Sequence, residues 1–298
     1  MLVALTARAD RLEGEARLRA ALRASPAAVA TVMIHGYRFC PDGPDRDNPH
    51  RHILSLDPVR DCWKAVSWPR HLHMDRGGLG IALGWPAQGT LAGAYRRAGE
   101  TGAALARIAR IVRQERPTMR LTVMAHSLGA RVALAALPLV GAGDIARMVL
   151  LSGAEYRQRA AMAMDSPAGH AVRVLNVTSG ENAPFDAAFR LLIRPDGWAD
   201  WPIGAGLQDP RRNWLNLSID CPRHHAALRQ CGFPMRPPRT RFCHWSGYMR
   251  PGVFALYRAV LGPDGATALA RLGAALPDGQ SEGTPRPEFA TGPQPRRI

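Results

Sequence analysis

Lysine is nearly absent from this chain: Lys64 is the only one among 39 basic residues, and the others are arginine. Arginine, alanine, glycine and proline run high together, so the bias reads as much as a genome-wide composition as a device of function. Asp and Glu number only 24, which leaves a formal net charge of +15 over 298 residues. A nucleic-acid reader needs its basic side chains clustered, with aromatics interleaved. Here the arginines are scattered singly, with pairs at Arg96-Arg97, Arg211-Arg212 and Arg296-Arg297. They read as a solvated basic surface, and nucleic acid is not expected as a partner. Cysteine is scarce as well. Cys40, Cys62, Cys221, Cys231 and Cys243 make an odd count with no Cys-x-x-Cys pair. That argues against a disulfide framework and a zinc site, and suits a reducing cytoplasm. No apolar run reaches membrane-spanning length. The first seven residues lack a basic leader and a long apolar stretch, so no signal peptide is expected.

What the chain does have is 46% hydrophobic residues, enough for one sizeable α/β domain. We place that domain at residues 1–276, with insertions at about 38–76 and 184–213. Residues 277–298 are Pro/Gly-rich and polar, and read as a disordered tail. Apolar, strand-like runs fall at 28–34, 81–83, 121–124, 148–151, 172–177 and 214–219. Helical periodicity covers 91–114, 130–136, 187–193 and 251–261. Continuous apolar strands alternating with helices predict a mostly parallel sheet covered on both faces. In such sheets the site lies beyond the carboxyl ends of the strands.

The most informative stretch is Ala125-His126-Ser127-Leu128-Gly129. An apolar strand enters it and an Ala/Leu-rich helix leaves it, which is the context of a nucleophile elbow. Ser127 would sit at the turn tip. Ala125 and Gly129 must be small because strand and helix pass close together there. A serine nucleophile needs a base, an orienting acid and an oxyanion hole. The hole would come from the backbone N–H groups of Leu128, after the nucleophile, and Tyr37, after the early strand and its His35-Gly36 turn. The base should follow the last strand. His244 fits that order, with His224 and His225 as rivals. The acid should follow the strand ending at Val177. Glu181 is the first choice and Asp186 the second, although Asp186 also suits a helix N-cap. Asp220 and Glu155 remain further alternatives. His50-Arg51-His52 and His71-Leu72-His73 have a spacing that can bind metal, but sequence fixes no acidic or cysteine partner for them. Neither metal nor organic cofactor is expected. Trp63, Trp68, Trp198 and Trp201 lie in the insertions and are expected to pack those loops onto the sheet.

These residues carry a resemblance. The elbow, the order Ser, acid, His, and the Gly84-Trp85-Pro86-Ala87-Gln88-Gly89 segment ahead of a long helix are similar to the α/β-hydrolase superfamily. The chain looks closest to a poorly characterised bacterial branch of it. The resemblance spans about residues 28–261. It implies an eight-stranded, mostly parallel sheet with helices on both faces, and serine hydrolase chemistry. The acid turn departs from the usual pattern, offering Glu181, Asn182 and Ala183 where family members commonly carry Asp. The expected activity is cleavage of a small-molecule carboxylic ester or thioester through an acyl-enzyme on Ser127. The alternatives are a catalytically silent binding protein on the same fold, or an acyltransferase.

Overall fold

The computed structural model describes residues 1–9, 11–59, 62–238 and 240–277. The expected tail lies, apart from Pro277, outside the described residues. Eight strands form one sheet: β1 (Leu2–Ala7), β2 (Leu12–Glu13), β3 (Val29–Ile34), β4 (Leu79–Gly84), β5 (Arg120–His126), β6 (Arg147–Leu151), β7 (Arg173–Thr178) and β8 (Trp214–Ser218). Their spatial order is β2-β1-β4-β3-β5-β6-β7-β8. Every neighbouring pair is parallel except β1 with β2. The helices are α1 (Glu15–Ala24), α2 (Trp68–His71), α3 (Leu91–Glu115), α4 (Leu128–Ala136), α5 (Arg157–Met164), α6 (Pro167–Ala171), α7 (Ala183–Leu192), α8 (Pro222–Gln230), α9 (Ser246–Met249), α10 (Val253–Leu261) and α11 (Gly265–Ala275). This is the α/β-hydrolase arrangement that the sequence predicts.

The central strands β3 to β7 are largely apolar because they face a core on both sides. Val32, Ile34, Val123, Ala125, Met148 and Leu150 join the core beneath α1, α3, α4 and α5. The alternate residues Met33, Met124, Val149, Leu151, Leu175 and Val177 join the core beneath α8, α10 and α11. Side chains on a strand alternate between faces, so two buried faces favour apolar residues, and the buried Thr31 and Thr122 hydroxyls bond each other at 3.0 Å.

The long helix α3 shows how sequence sets an element's ends. The Thr90 hydroxyl caps its start by accepting from the Gly93 N–H at 3.1 Å. Pro117 follows its end closely, where the chain cannot continue as helix. Its buried stripe runs through Ala94, Ala98, Gly102, Leu105 and Ala109. Gly102 lets α4 approach closely, because a Cβ there would lie 2.8 Å from Ala135.

Several expectations are corrected. β1 and α11 were not anticipated. Asp186 does not cap α7; Asn182 holds that position and Asp186 lies in the first turn. The helix expected to start at Pro251 begins at Val253, because Gly252 enters it at φ 102°, a left-handed backbone. Trp68 is fully buried as expected, but Trp63 and Trp198 are exposed. The loop around Trp198 follows α7, whose only buried residue is Phe189, so it has little core to cover.

A buried polar cluster ties α3 and α4 to the loop after β6. Glu155 accepts from the Tyr95 hydroxyl at 2.6 Å, from Arg131 Nη1 at 2.6 Å and from the Tyr156 N–H at 2.8 Å. Glu155 therefore serves packing. Removing one partner strands a charge that burial has cut off from water. We predict that Arg131→Ala loses about 3 kcal/mol of unfolding free energy in urea denaturation, with Arg131→Ala/Glu155→Gln recovering part of the loss.

Candidate functional site

Ser127 lies between β5 and α4 with φ 55° and ψ −124°, a left-handed backbone that a non-glycine residue adopts only under constraint. The constraint is visible on both sides. The Ser127 N–H donates to the Leu151 carbonyl at 3.0 Å, and the Ser127 carbonyl accepts from the N–H groups of Ala130 and Ala154, each at 3.0 Å. A Cβ on Gly36 would lie 2.7 Å from the Ser127 Cβ. One on Gly129 would lie 2.7 Å from the carbonyl oxygens of Ile34 and His35. Glycine is required at both positions because β3 and the elbow touch there.

The turn after β3 is locked from beneath. The His35 ring is stacked on Trp85, with centroids 5.5 Å apart and planes 9° apart. Its Nε2 accepts from the Trp85 N–H at 3.0 Å, and its Nδ1 faces the Gly36 carbonyl at 2.9 Å. The Trp85 indole N–H donates to the His35 carbonyl at 3.1 Å. Burial drives the His35 pKa down to about 3, so the ring is neutral and structural. This explains the Trp-Pro segment: it fixes the His-Gly turn that presents Tyr37. Among the described residues, the N–H groups of Tyr37 and Leu128 have no acceptor. Both residues line the same cavity as Ser127. Leu128 opens α4, so its N–H also carries the positive end of a helix dipole.

That cavity has a volume of about 880 Å³ and is bounded also by His244, Phe185, Phe189 and Leu192. Ser127 and His244 therefore share it. Among the described residues the Ser127 hydroxyl has no hydrogen bond, to His244 or to any other group. Such contacts commonly close only when substrate is bound.

His244 is held on three sides. Its Nδ1 hydrogen-bonds the Asn182 Oδ1 at 2.6 Å. Phe185 stacks on its ring at 4.9 Å. The His126 Nε2 donates to its backbone carbonyl at 2.9 Å. Burial, with smaller contributions from His126 and Lys64, lowers the His244 pKa well below the ordinary histidine value. His126 is likewise neutral, with a pKa of about 4. With Nδ1 donating to Asn182, Nε2 is the free acceptor, as a base toward Ser127 requires.

The structure does not bring Glu181 to His244. The Glu181 carboxylate accepts from the Ser246 hydroxyl, from Thr240 Oγ1 at 3.2 Å and from Arg250 Nη2 at 2.9 Å. Arg250 also pairs with Asp220 at 2.6 Å, and Asp220 accepts from Ser179 at 2.7 Å. The Cys243 N–H donates to the Glu181 carbonyl at 2.9 Å. Glu181 and Asp220 thus fasten the His244 loop to the ends of β7 and β8. Both carboxylates pair with Arg250. His224 and His225 are occupied at the start of α8: the His224 Nδ1 accepts from the Ser218 N–H at 3.0 Å, and the His225 Nε2 contacts the Ile219 carbonyl.

Asn182 is the partner that sequence reading missed, because that reading sought a carboxylate. Asp186 reaches the site through it. The Asn182 Nδ2 donates to the Asp186 Oδ1 at 3.0 Å, which leaves its Oδ1 for His244. The signal was present in the sequence, since Asn182 and Asp186 are four residues apart at a helix start and share one face. Burial raises the Asp186 pKa from 3.8 to about 7, with the Asn182 hydrogen bond acting the other way. The unfolded chain therefore releases this proton first as pH rises. Asp186 contributes stability that is full below about pH 4 and is lost as pH rises through about 7. Thermal denaturation of Asp186→Asn should show a higher midpoint relative to wild type at pH 8 than at pH 4.

Residues 70–150 match the model of a family described as "Alpha/beta hydrolase of unknown function (DUF900)". The matched span holds β4 with its Trp-Pro segment, α3, β5, the Ser127 elbow and α4. No curated protein matches the chain.

Proposed function

With an α/β-hydrolase fold as the premise, we propose that the chain is a serine hydrolase acting on a carboxylic ester or thioester. The observation that carries this reading is the strained Ser127 elbow opening onto a cavity shared with His244 and two unpaired backbone N–H groups. The neutral His244 takes the Ser127 proton through Nε2 as the hydroxyl oxygen attacks the substrate carbonyl carbon. The carbonyl electron pair moves to oxygen, and the resulting oxyanion accepts from the N–H groups of Tyr37 and Leu128. Such donors are worth about 3 kcal/mol each in comparable sites. The His244 imidazolium then gives its proton to the departing alcohol or thiol. Water enters by the same route in reverse and frees the acid.

Asn182 orients His244 but adds no charge. Asp186, one hydrogen bond further out, supplies the negative charge that stabilises the imidazolium. Its pKa of about 7 means that this charge is present only above neutrality. We predict that kcat/KM rises between pH 6 and 8, and that Asp186→Asn flattens this rise and lowers the plateau at least tenfold, about 1.4 kcal/mol of barrier.

One observation favours a second reading. A neutral amide at the His244 Nδ1, in place of a carboxylate, is compatible with a binding protein that has lost catalysis. A fluorophosphonate labelling gel, run beside p-nitrophenyl ester turnover, separates the two. Wild type should label and turn over, and Ser127→Ala should do neither while unfolding at the same temperature within a few degrees. Absence of labelling in folded wild type would establish the silent alternative; labelling that survives in Ser127→Ala would remove Ser127 from its role.

A further inference from the structure

The cavity lining holds two unlike groups of residues. From α7 and the start of α3 come Phe185, Phe189, Leu192 and Leu91. From the 38–76 insertion come Arg38, Arg46 and Lys64, with Asp47 beside Arg46. The first group suits an acyl chain. We infer that the second recognises a phosphate on the alcohol or thiol portion of the substrate, so that the enzyme cleaves phosphate-bearing acyl esters or thioesters. This inference rests on the serine hydrolase reading of the same site.

Three observations carry it. First, these cations face the cavity without a close carboxylate to neutralise them. Among the described residues, neither Arg38 nor Lys64 has a carboxylate within 4.0 Å, and Arg46 reaches only Asp47, at 3.9 Å. By contrast Arg19, Arg23 and Arg131 pair at 2.6, 2.7 and 2.6 Å. Second, their placement is built. Lys64 is the chain's one lysine. Its ammonium lies 3.8 Å from the centroid of the Trp245 ring and 5.8 Å from that of Trp63. Those two rings meet edge to face at 5.5 Å. Arg38 follows Tyr37 directly and holds a left-handed backbone at φ 75°, a strain without glycine's freedom. The cations therefore flank the reacting centre, Arg38 beside the oxyanion donor and Lys64 beside the residue next to His244.

Third, an unmatched ammonium near His244 works against the chemistry. It disfavours the imidazolium that proton transfer from Ser127 creates. A phosphate seated on Lys64 cancels that charge, so the correct substrate raises the proton affinity of its own base. A neutral ester leaves the opposition in place. The preference should thus appear in kcat as well as in KM.

The test compares two esters with the same acyl chain: 2-hydroxyethyl hexanoate and 2-(hexanoyloxy)ethyl phosphate. Wild type should prefer the phosphate by about tenfold or more in kcat/KM at low salt, and the preference should shrink as salt screens it. Lys64→Gln and Arg46→Gln should each lower the ratio of the two kcat/KM values by about threefold or more, with folding checked by circular dichroism. Arg46 is exposed, so its variant stands if Lys64→Gln fails to fold. Equal turnover of the two esters by wild type overturns the phosphate inference while leaving the hydrolase intact. A preference unchanged in both variants removes these residues from the role. If neither ester is cleaved and Ser127 is not labelled, the hydrolase reading itself has failed.

Discussion

The site depends on one steric fact: β3 and the β5–α4 elbow touch with no side chain between them. A Cβ at Gly36 or Gly129 would overlap the facing chain at 2.7 Å. Because the backbones meet, Ser127 is pushed to φ 55° and its hydroxyl projects into the cavity. The same contact brings the turn after β3 alongside the start of α4, so that Tyr37 and Leu128 line one cavity with unpaired N–H groups. The proposed nucleophile and the two unpaired N–H groups therefore arise from one packing event. The parallel register Ile34 with Ala125 sets it, and two buried cores hold it. Strain at one residue is tolerable when both neighbouring strands are fixed by cores of this size.

The proposed base, His244, is positioned by different means. His244 lies in a loop beyond β8, with no strand of its own to hold it. Instead a buried set of charges, Glu181, Arg250 and Asp220, ties that loop to the sheet ends. Arg250 sits between two carboxylates and holds both away from His244. The loop gains rigidity, and the site loses the acid that a sequence pattern would assign to it. Asn182 then supplies direction, and Asp186 supplies charge at one remove.

This division explains what the sequence discloses. The sheet, its two-sided burial, the long helix α3 and the Ser127 elbow follow from local rules: alternation, capping and small residues at a close approach. The sequence marks those within a few neighbours. The role of Glu181 does not follow, because it is decided by Arg250, 69 residues further on. Chemical type pointed to Glu181, and tertiary pairing overrode it. The helix cap misled in a related way. Asp186 suits an N-cap, but Asn182 reaches that position first and makes Asp186 its own partner. The Trp-Pro segment was legible as a family feature, while its physical purpose, locking His35, needed the contact of β3 with β4.

Burial makes the remaining electrostatics decisive. His35, His126 and His244 are all held neutral by desolvation. For two of them neutrality is the working state, since His35 accepts from Trp85 and His126 donates to the His244 carbonyl. His244 alone must gain a proton during the proposed reaction, and it must do so where water cannot stabilise the charge. The groups placed to influence that step are Asp186, through Asn182, and Lys64, on the ring beside His244. They act in opposite directions. Burial raises the Asp186 pKa to about 7, so its contribution grows as pH rises through neutrality. On the reading proposed above, a substrate that brings its own negative charge offsets the Lys64 ammonium.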